Sequence, residues 1–234
     1  MPKPREDGVA VTRAPDLDTK STPSRRQGKT TFEAILSTTG ELLAEVGFER
    51  LTTNLVCERA GMTPPALYRY FPNKYALLAE LARRLMDAQD EVFLAWLDRI
   101  GPESPTMDEV VARSVEIRKD LLRVTRAQPG GMWILRAIRA VPQLREVRIE
   151  SRDKVLARHF ENLRETYPLV SDDQLRVASR LSEEVSYSII EMLLEDPTLD
   201  EDRVIEESAW MTGLYYQQLV PRDPPPKARG RKKR

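Results

Sequence analysis

Residues 51–78, LTTNLVCERAGMTPPALYRYFPNKYALL, leave fewer folding options than any other part of this 234-residue chain. They read as a helix over Asn54–Ala60, a second over Thr63–Phe71, and a third that opens near Lys74. Thr52 and Thr63 stand where N-caps are wanted, because a hydroxyl can accept from first-turn N–H groups that lack an intrahelical partner. Pro64 follows at a first helical position, where its missing N–H removes no hydrogen bond. Gly61 lies between the two short helices and can enter the left-handed backbone region that a tight turn uses.

Two short helices joined by a glycine turn make a helix-turn-helix, whose second helix can enter the DNA major groove. Gly47, Thr52, Val56, Ala60-Gly61, Thr63, Leu67-Tyr68, Tyr70-Phe71, Lys74 and Leu77-Leu78 together resemble the N-terminal signature of the TetR family of bacterial transcriptional repressors. The resemblance spans about residues 31–85, and Leu-Tyr-x-Tyr-Phe-x-x-Lys at a set distance from Ala-Gly makes it far more specific than a generic helix-turn-helix. The rest of the chain is similar to the family only in length and helical character.

The expected fold is therefore all-α. A disordered N-terminal arm (1–28) precedes a three-helix helix-turn-helix DNA-binding domain (29–75). A helical effector-binding and dimerisation domain (76–220) and a basic disordered tail (221–234) follow. Ten glycines and 6% aromatics, with many Leu, Ala, Glu and Arg, agree with helices. Long helices are expected at about 31–46, 74–100, 107–127, 143–166, 171–194 and 200–219, with a shorter one at 132–140. The breaks fall at Gly101-Pro102, Pro129-Gly130-Gly131, Pro142, Pro168, Asp196-Pro197 and Pro221. No apolar run approaches the ~20 residues of a membrane span, and one cysteine allows no intrachain disulfide, which suits a cytoplasmic protein.

The zero net charge conceals an asymmetry. Residues 1–29 hold 7 basic and 4 acidic side chains and residues 227–234 hold 6 basic ones, which leaves 24 basic against 33 acidic between them. An acidic body with basic ends is compatible with DNA binding; equally, the ends can serve solubility alone. Arg25, Arg26 and Lys29 lie before the first helix, within reach of phosphates.

Binding DNA requires phosphate contacts for register and base-edge contacts for sequence. By their motif positions Thr52 and Lys74 resemble phosphate contacts, and Tyr68 and Tyr70 resemble paired aromatics that bond phosphates or pack on sugars. Thr53, Asn54, Thr63, Pro64, Pro65, Ala66 and Arg69 are candidates for the groove-facing surface; Asn can pair with adenine and Arg with guanine. Pro65 is a departure, since family members commonly carry a small residue there. Proline removes a donor and adds bulk.

For the C-terminal part, the resemblance implies ligand binding and dimerisation. Large apolar residues with a few polar ones make candidate pocket walls: Phe93, Trp96, Met132, Trp133, Arg136, Phe160, Tyr187 and Met192, with the single histidine, His159, as an effector contact or a core residue. Leu181, Val185, Ile189 and Met192 on one helix, and Ile205, Trp210 and Leu214 on the last, form apolar faces wide enough to pair with a second copy. Cys57 is expected to be a small core residue. Catalysis is not expected, because one His and one Cys with no GxSxG, HExxH or phosphate-binding glycine loop offer no familiar constellation. No cofactor is implied. The expected function is a transcriptional repressor that binds a pseudo-palindromic operator as a homodimer and is released by a small-molecule effector. The alternative is a helical ligand carrier or protein-interaction module whose helix-turn-helix no longer reads DNA.

Overall fold

The computed structural model describes residues 15–100 and 105–219, and among these the secondary structure is helical throughout, with no strand. The first helix, α1, runs Arg26–Arg50 and turns sharply at Gly47, whose φ of 74° lies in the left-handed region. The expected end at Gly47 is thus a kink followed by one more turn. Next come α2 (Thr53–Arg59), α3 (Pro64–Tyr68) and α4 (Lys74–Arg99). Thr52 caps α2 by accepting from the Leu55 N–H at 3.1 Å, and Gly61 turns between α2 and α3 at φ 63°. Thr63 occupies the cap position of α3, but there its carbonyl, not its hydroxyl, accepts from Ala66 and Leu67. Asn73 caps α4 by accepting from the N–H groups of Tyr75 and Ala76.

Five more α-helices complete the body: α5 (Met107–Ala127), α6 (Gly131–Ala140), α7 (Arg145–Thr166), α8 (Asp172–Glu195) and α9 (Glu201–Leu219). Local chemistry accounts for their starts. Thr106 and Glu109 form a reciprocal capping box on α5, and Ser171 caps α8. α4 is the spine: it begins in the head, then packs along α5, α6 and α7, while α9 lies along α5 and α8. A single apolar cluster runs from Phe32 and Leu67 through Leu77, Leu81 and Leu85 to Ile138, Leu193 and Ile205. The boundary expected at 75–76 falls within the first turn of α4, where this core is continuous. No helix among the described residues is long and apolar enough to cross a membrane.

Two features depart from expectation. The chain from 15 to 25 is an extended strap laid against the head, and residues 26–28 belong to α1; the expectation of disorder over 1–28 is corrected for this part. The Lys20 N–H donates to the Tyr70 carbonyl at 2.7 Å, Asn73 Nδ2 donates to the Asp16 carbonyl at 2.8 Å, and Arg83 bonds both the Leu17 carbonyl and the Asp18 carboxylate. Backbone bonding and the Leu17 side chain anchor a segment too proline-rich to show periodicity. Residues 1–14 and the tail expected over 221–234 lie outside the described residues. Second, head and body meet at a glycine contact: a Cβ on Gly40 of α1 would stand 2.3 Å from the Pro129 carbonyl oxygen, and one on Gly130 2.3 Å from the Gly40 oxygen.

Candidate nucleic-acid interface and internal cavity

The exposed surface of the head is built from α2, α3 and the start of α1. Asn54, Thr63, Pro64, Pro65 and Arg69 are exposed, while Thr53 and Ala66 are half-buried beside them. Thr53 Oγ1 and the Tyr68 hydroxyl lie 2.9 Å apart, a bond that joins α2 to α3 and uses one of their two hydroxyl protons. Thr52 accepts from its own helix and keeps its proton to donate outward. Because Pro64 and Pro65 have no N–H and the Ala66 N–H is bonded to Thr63, the first turn of α3 offers no free backbone donor. Any base reading by α3 falls to side chains.

Two expected DNA contacts sit differently. Tyr70 is buried (5% exposed), its ring edge-on to Phe32 at 5.6 Å and its carbonyl bonded to Lys20 of the strap, so it is a core residue of the head and not a surface contact. Lys74 is half-buried, with Nζ 4.4 Å from the centre of the Phe48 ring and 3.3 Å from the Phe48 carbonyl oxygen. That ring and carbonyl fix the position of its charge, and the ammonium retains further donors. Cys57 is buried in the head core, where burial pushes its thiol up.

The charges of head and body are arranged differently. Between residues 15 and 75, Arg59 forms a bidentate pair with Glu45 at 2.8 Å, and among the described residues Lys20, Arg25, Arg26, Lys29, Arg50, Arg69 and Lys74 form no ion pair. In the body most cations are paired, as with Arg99–Glu116, Arg126–Glu201 and Arg158–Asp98.

Inside the body, α4, α5, α7, α8 and α9 enclose a cavity of about 110 Å³. Phe93, Trp96, His159 and Tyr187 line it. Met132, Trp133, Arg136, Phe160 and Met192 do not. Ile134, Leu135, Ala137 and Ile138 of α6 form its buried face, which leaves Trp133 and Arg136 outside; Arg136 pairs there with Glu191 and Glu195. Phe160 lies in a separate cluster under the Arg176 guanidinium, 4.3 Å from its ring. Met192 is exposed on α8.

The cavity also holds polar residues that the expected list lacks. Asp90 is buried, accepts from Ser151 Oγ at 2.7 Å and lies 3.5 Å from Lys154 Nζ; burial raises its carboxyl above the usual range in spite of both. Gln89 donates to Thr125 at 2.7 Å and accepts from Tyr187 at 3.4 Å. His159, half-buried at the cavity wall, meets Phe93 edge-on at 5.5 Å, and desolvation there lowers it to about 4, so it is neutral at pH 7. Arg118 is buried at the α5–α9 contact. Its place was visible in the spacing Val111, Arg118, Leu122, Thr125, which puts an arginine in the apolar stripe of α5.

On the outside, α8 and α9 expose Val177, Leu181, Met192, Trp210, Met211 and Leu214. Val185 and Ile189 are half-buried, and Ile205 is fully buried in the core of its own chain, which removes it from the expected pairing surface.

Residues 35–81 match the family model described as bacterial regulatory proteins, tetR family. This stretch of the head is similar to the tetR family of bacterial regulatory proteins. Over 54 residues the chain is 50% identical to the class C tetracycline repressor protein of Escherichia coli, a match that covers 23% of this chain and 25% of that repressor. The chain thus spans a quarter of the length of that curated relative. The fold extends the likeness beyond residues 35–81. A putative TetR-family transcriptional regulator from Syntrophomonas wolfei superposes with a TM-score of 0.65 at 12% identity, covering 84% of this chain and 100% of the other. SmeT, the repressor of the Stenotrophomonas maltophilia multidrug efflux pump SmeDEF, does so with a TM-score of 0.60 at 18% identity, covering 81% and 92%. The body therefore has the fold of TetR-family regulators.

Proposed function

We propose that the chain is a homodimeric, DNA-binding transcriptional repressor whose hold on a pseudo-palindromic operator is released by a small molecule in the body cavity. The observation that carries this reading is the set of cations on the head that form no ion pair among the described residues, together with the exposed side chains of Asn54, Tyr68 and Arg69. Unpaired cations gain most from phosphate, since each displaces condensed counterions without first losing an ion pair. Asn54 and Arg69 are the side chains suited to base edges; Thr52, Tyr68 and Lys74 are suited to phosphates. The exposed apolar faces of α8 and α9 support pairing of two copies through four helices, and two heads then read successive major grooves.

Release follows from linkage. The effector weakens DNA binding only if it binds the DNA-competent conformation less well than another. The contact of Gly40 with Pro129-Gly130 is the direct route by which a shift in the body reaches α1 of the head. Selection from random duplex DNA with the purified protein tests the reading; a two-fold symmetric site should be enriched, and none would overturn it. A second reading, a ligand carrier whose head no longer reads DNA, is favoured by the missing backbone donors at Pro64 and Pro65. A gel shift with the protein's own upstream region separates the two.

A further inference from the structure

Two buried donors in the cavity have no acceptor. Arg118 is 2% exposed; its Nη1 donates to the Ser114 carbonyl at 3.1 Å and its Nη2 to Thr212 Oγ1 at 2.7 Å, while Nε has no partner. The indole Nε1 of Trp96 is likewise buried and unbonded. Both residues line the cavity. The antiparallel register of α4 and α5, set by Gln89–Thr125 and Arg99–Glu116, brings Arg118 level with Trp96 and Leu97. Asp90 lies about two turns away, ~10 Å along the axis.

Among the described residues the Arg118 charge has no counter-ion. Its neighbours on α5, Glu116 and Asp120, are paired with Arg99 and Arg123. Among the cavity's other ionisable groups, Asp90 has Ser151 and Lys154, Glu183 has Arg180, and Arg152 has Asp153. Burial lowers the Arg118 guanidinium to about 10, which leaves it charged at neutral pH. An unpaired buried cation is costly, and the cost falls when an anion with matching acceptors enters beside it.

Taking the cavity as the effector site, we propose that its ligand is a small monocarboxylate with an aromatic or branched apolar body. One carboxylate oxygen accepts from Arg118 and the other from Trp96 Nε1, an arrangement that supplies both orphaned donors and the missing charge. The hydrocarbon lies against Phe93, Ile117, Leu121 and Val155. Size limits the body: about 110 Å³ is close to the ~150 Å³ of an engineered cavity that holds benzene. His159, neutral at pH 7, adds no second cation that would favour a dianion.

Calorimetric titration of the full chain with phenylacetate, benzoate and isovalerate, each against its amide, tests the assignment, with inorganic phosphate as an anion lacking an apolar body. At least one acid should bind about tenfold or more tightly than its amide, and its binding should alter Trp96 emission. Arg118→Gln should abolish the preference for the acid, and Arg118→Lys should keep part of it; circular dichroism melts establish that each variant is folded. Equal affinity for acid and amide, binding of amides only, or tighter binding of phosphate than of any acid would overturn the carboxylate assignment while leaving the cavity as a ligand site. Should none of these compounds bind, both the assignment and the reading of the cavity as an effector site fall.

Discussion

Replacing Gly40 with alanine puts a methyl group where the Pro129 carbonyl oxygen already stands. The new Cβ would lie 2.3 Å from that oxygen and 3.0 Å from its carbon, and both are backbone atoms that cannot rotate aside. Ordinary contact needs about 3.5 Å, so α1 and the turn before α6 must separate by roughly 1 Å. Overpacking of this kind costs about 1–3 kcal/mol. Against it, alanine is favoured over glycine within a helix by ~1 kcal/mol. The terms oppose, and steric overlap with rigid backbone should win by about 1 kcal/mol. In a chain of this size that lowers the melting temperature by ~2–4 °C. Ser37→Ala, at an exposed position of the same helix, is the control for helix preference, less the one exposed hydrogen bond that Ser37 Oγ donates to Glu41. Thermal melts by circular dichroism should rank Gly40→Ala below the parent and Ser37→Ala at or above it. If Gly40→Ala melts at or above the parent, the head is not held to the body by this contact, and the proposed route of coupling through Gly40 fails with it.

Lys74→Ala should weaken binding to all DNA sequences alike and flatten the slope of log affinity against log salt by about 1; an unchanged slope would refute a phosphate role for the ammonium above Phe48. Leu181→Glu together with Leu214→Glu should leave the protomer folded but monomeric by light scattering, since both side chains are exposed. Ile205→Glu should instead unfold the chain, because that residue is buried. The carboxyls of Asp90 and Glu183, raised by burial, lose stability as the pH rises, and His159 acts with the opposite sign: its folded value of about 4 lies below the ordinary 6.5 because burial disfavours the imidazolium. The unfolded chain therefore binds the proton first, and stability present above pH 6.5 is lost as the pH falls toward 4, by about 3 kcal/mol in all. Denaturant melts at pH 7.5 and 4.5 should show this loss, and His159→Phe should remove most of it.

Wherever local chemistry decides, the residues announce the structure. Thr52, Gly61, Pro64 and the Thr106–Glu109 box act within one turn of themselves, so the starts of α2, α3 and α5 and the helix-turn-helix could be read from spacing, whereas both ends of α1 could not. The strap at 15–25 escaped because its order comes from bonds to Tyr70, Asn73 and Arg83, residues about 50 or more positions away. Tyr70 could be read as a surface aromatic until Phe32 and that strap closed over it. Ile205 and Leu214 both lie on apolar stretches of α9, yet one is fully buried and the other half-exposed, because α5 and α8 cover only part of the helix. Periodicity shows that a helix has an apolar stripe, but not which neighbour covers which residue, nor how much stripe remains for a second copy. Arg118 is the sharpest case: its position in the stripe of α5 is written in the chain, but its lack of an ion pair among the described residues depends on how α4, α5, α7, α8 and α9 converge.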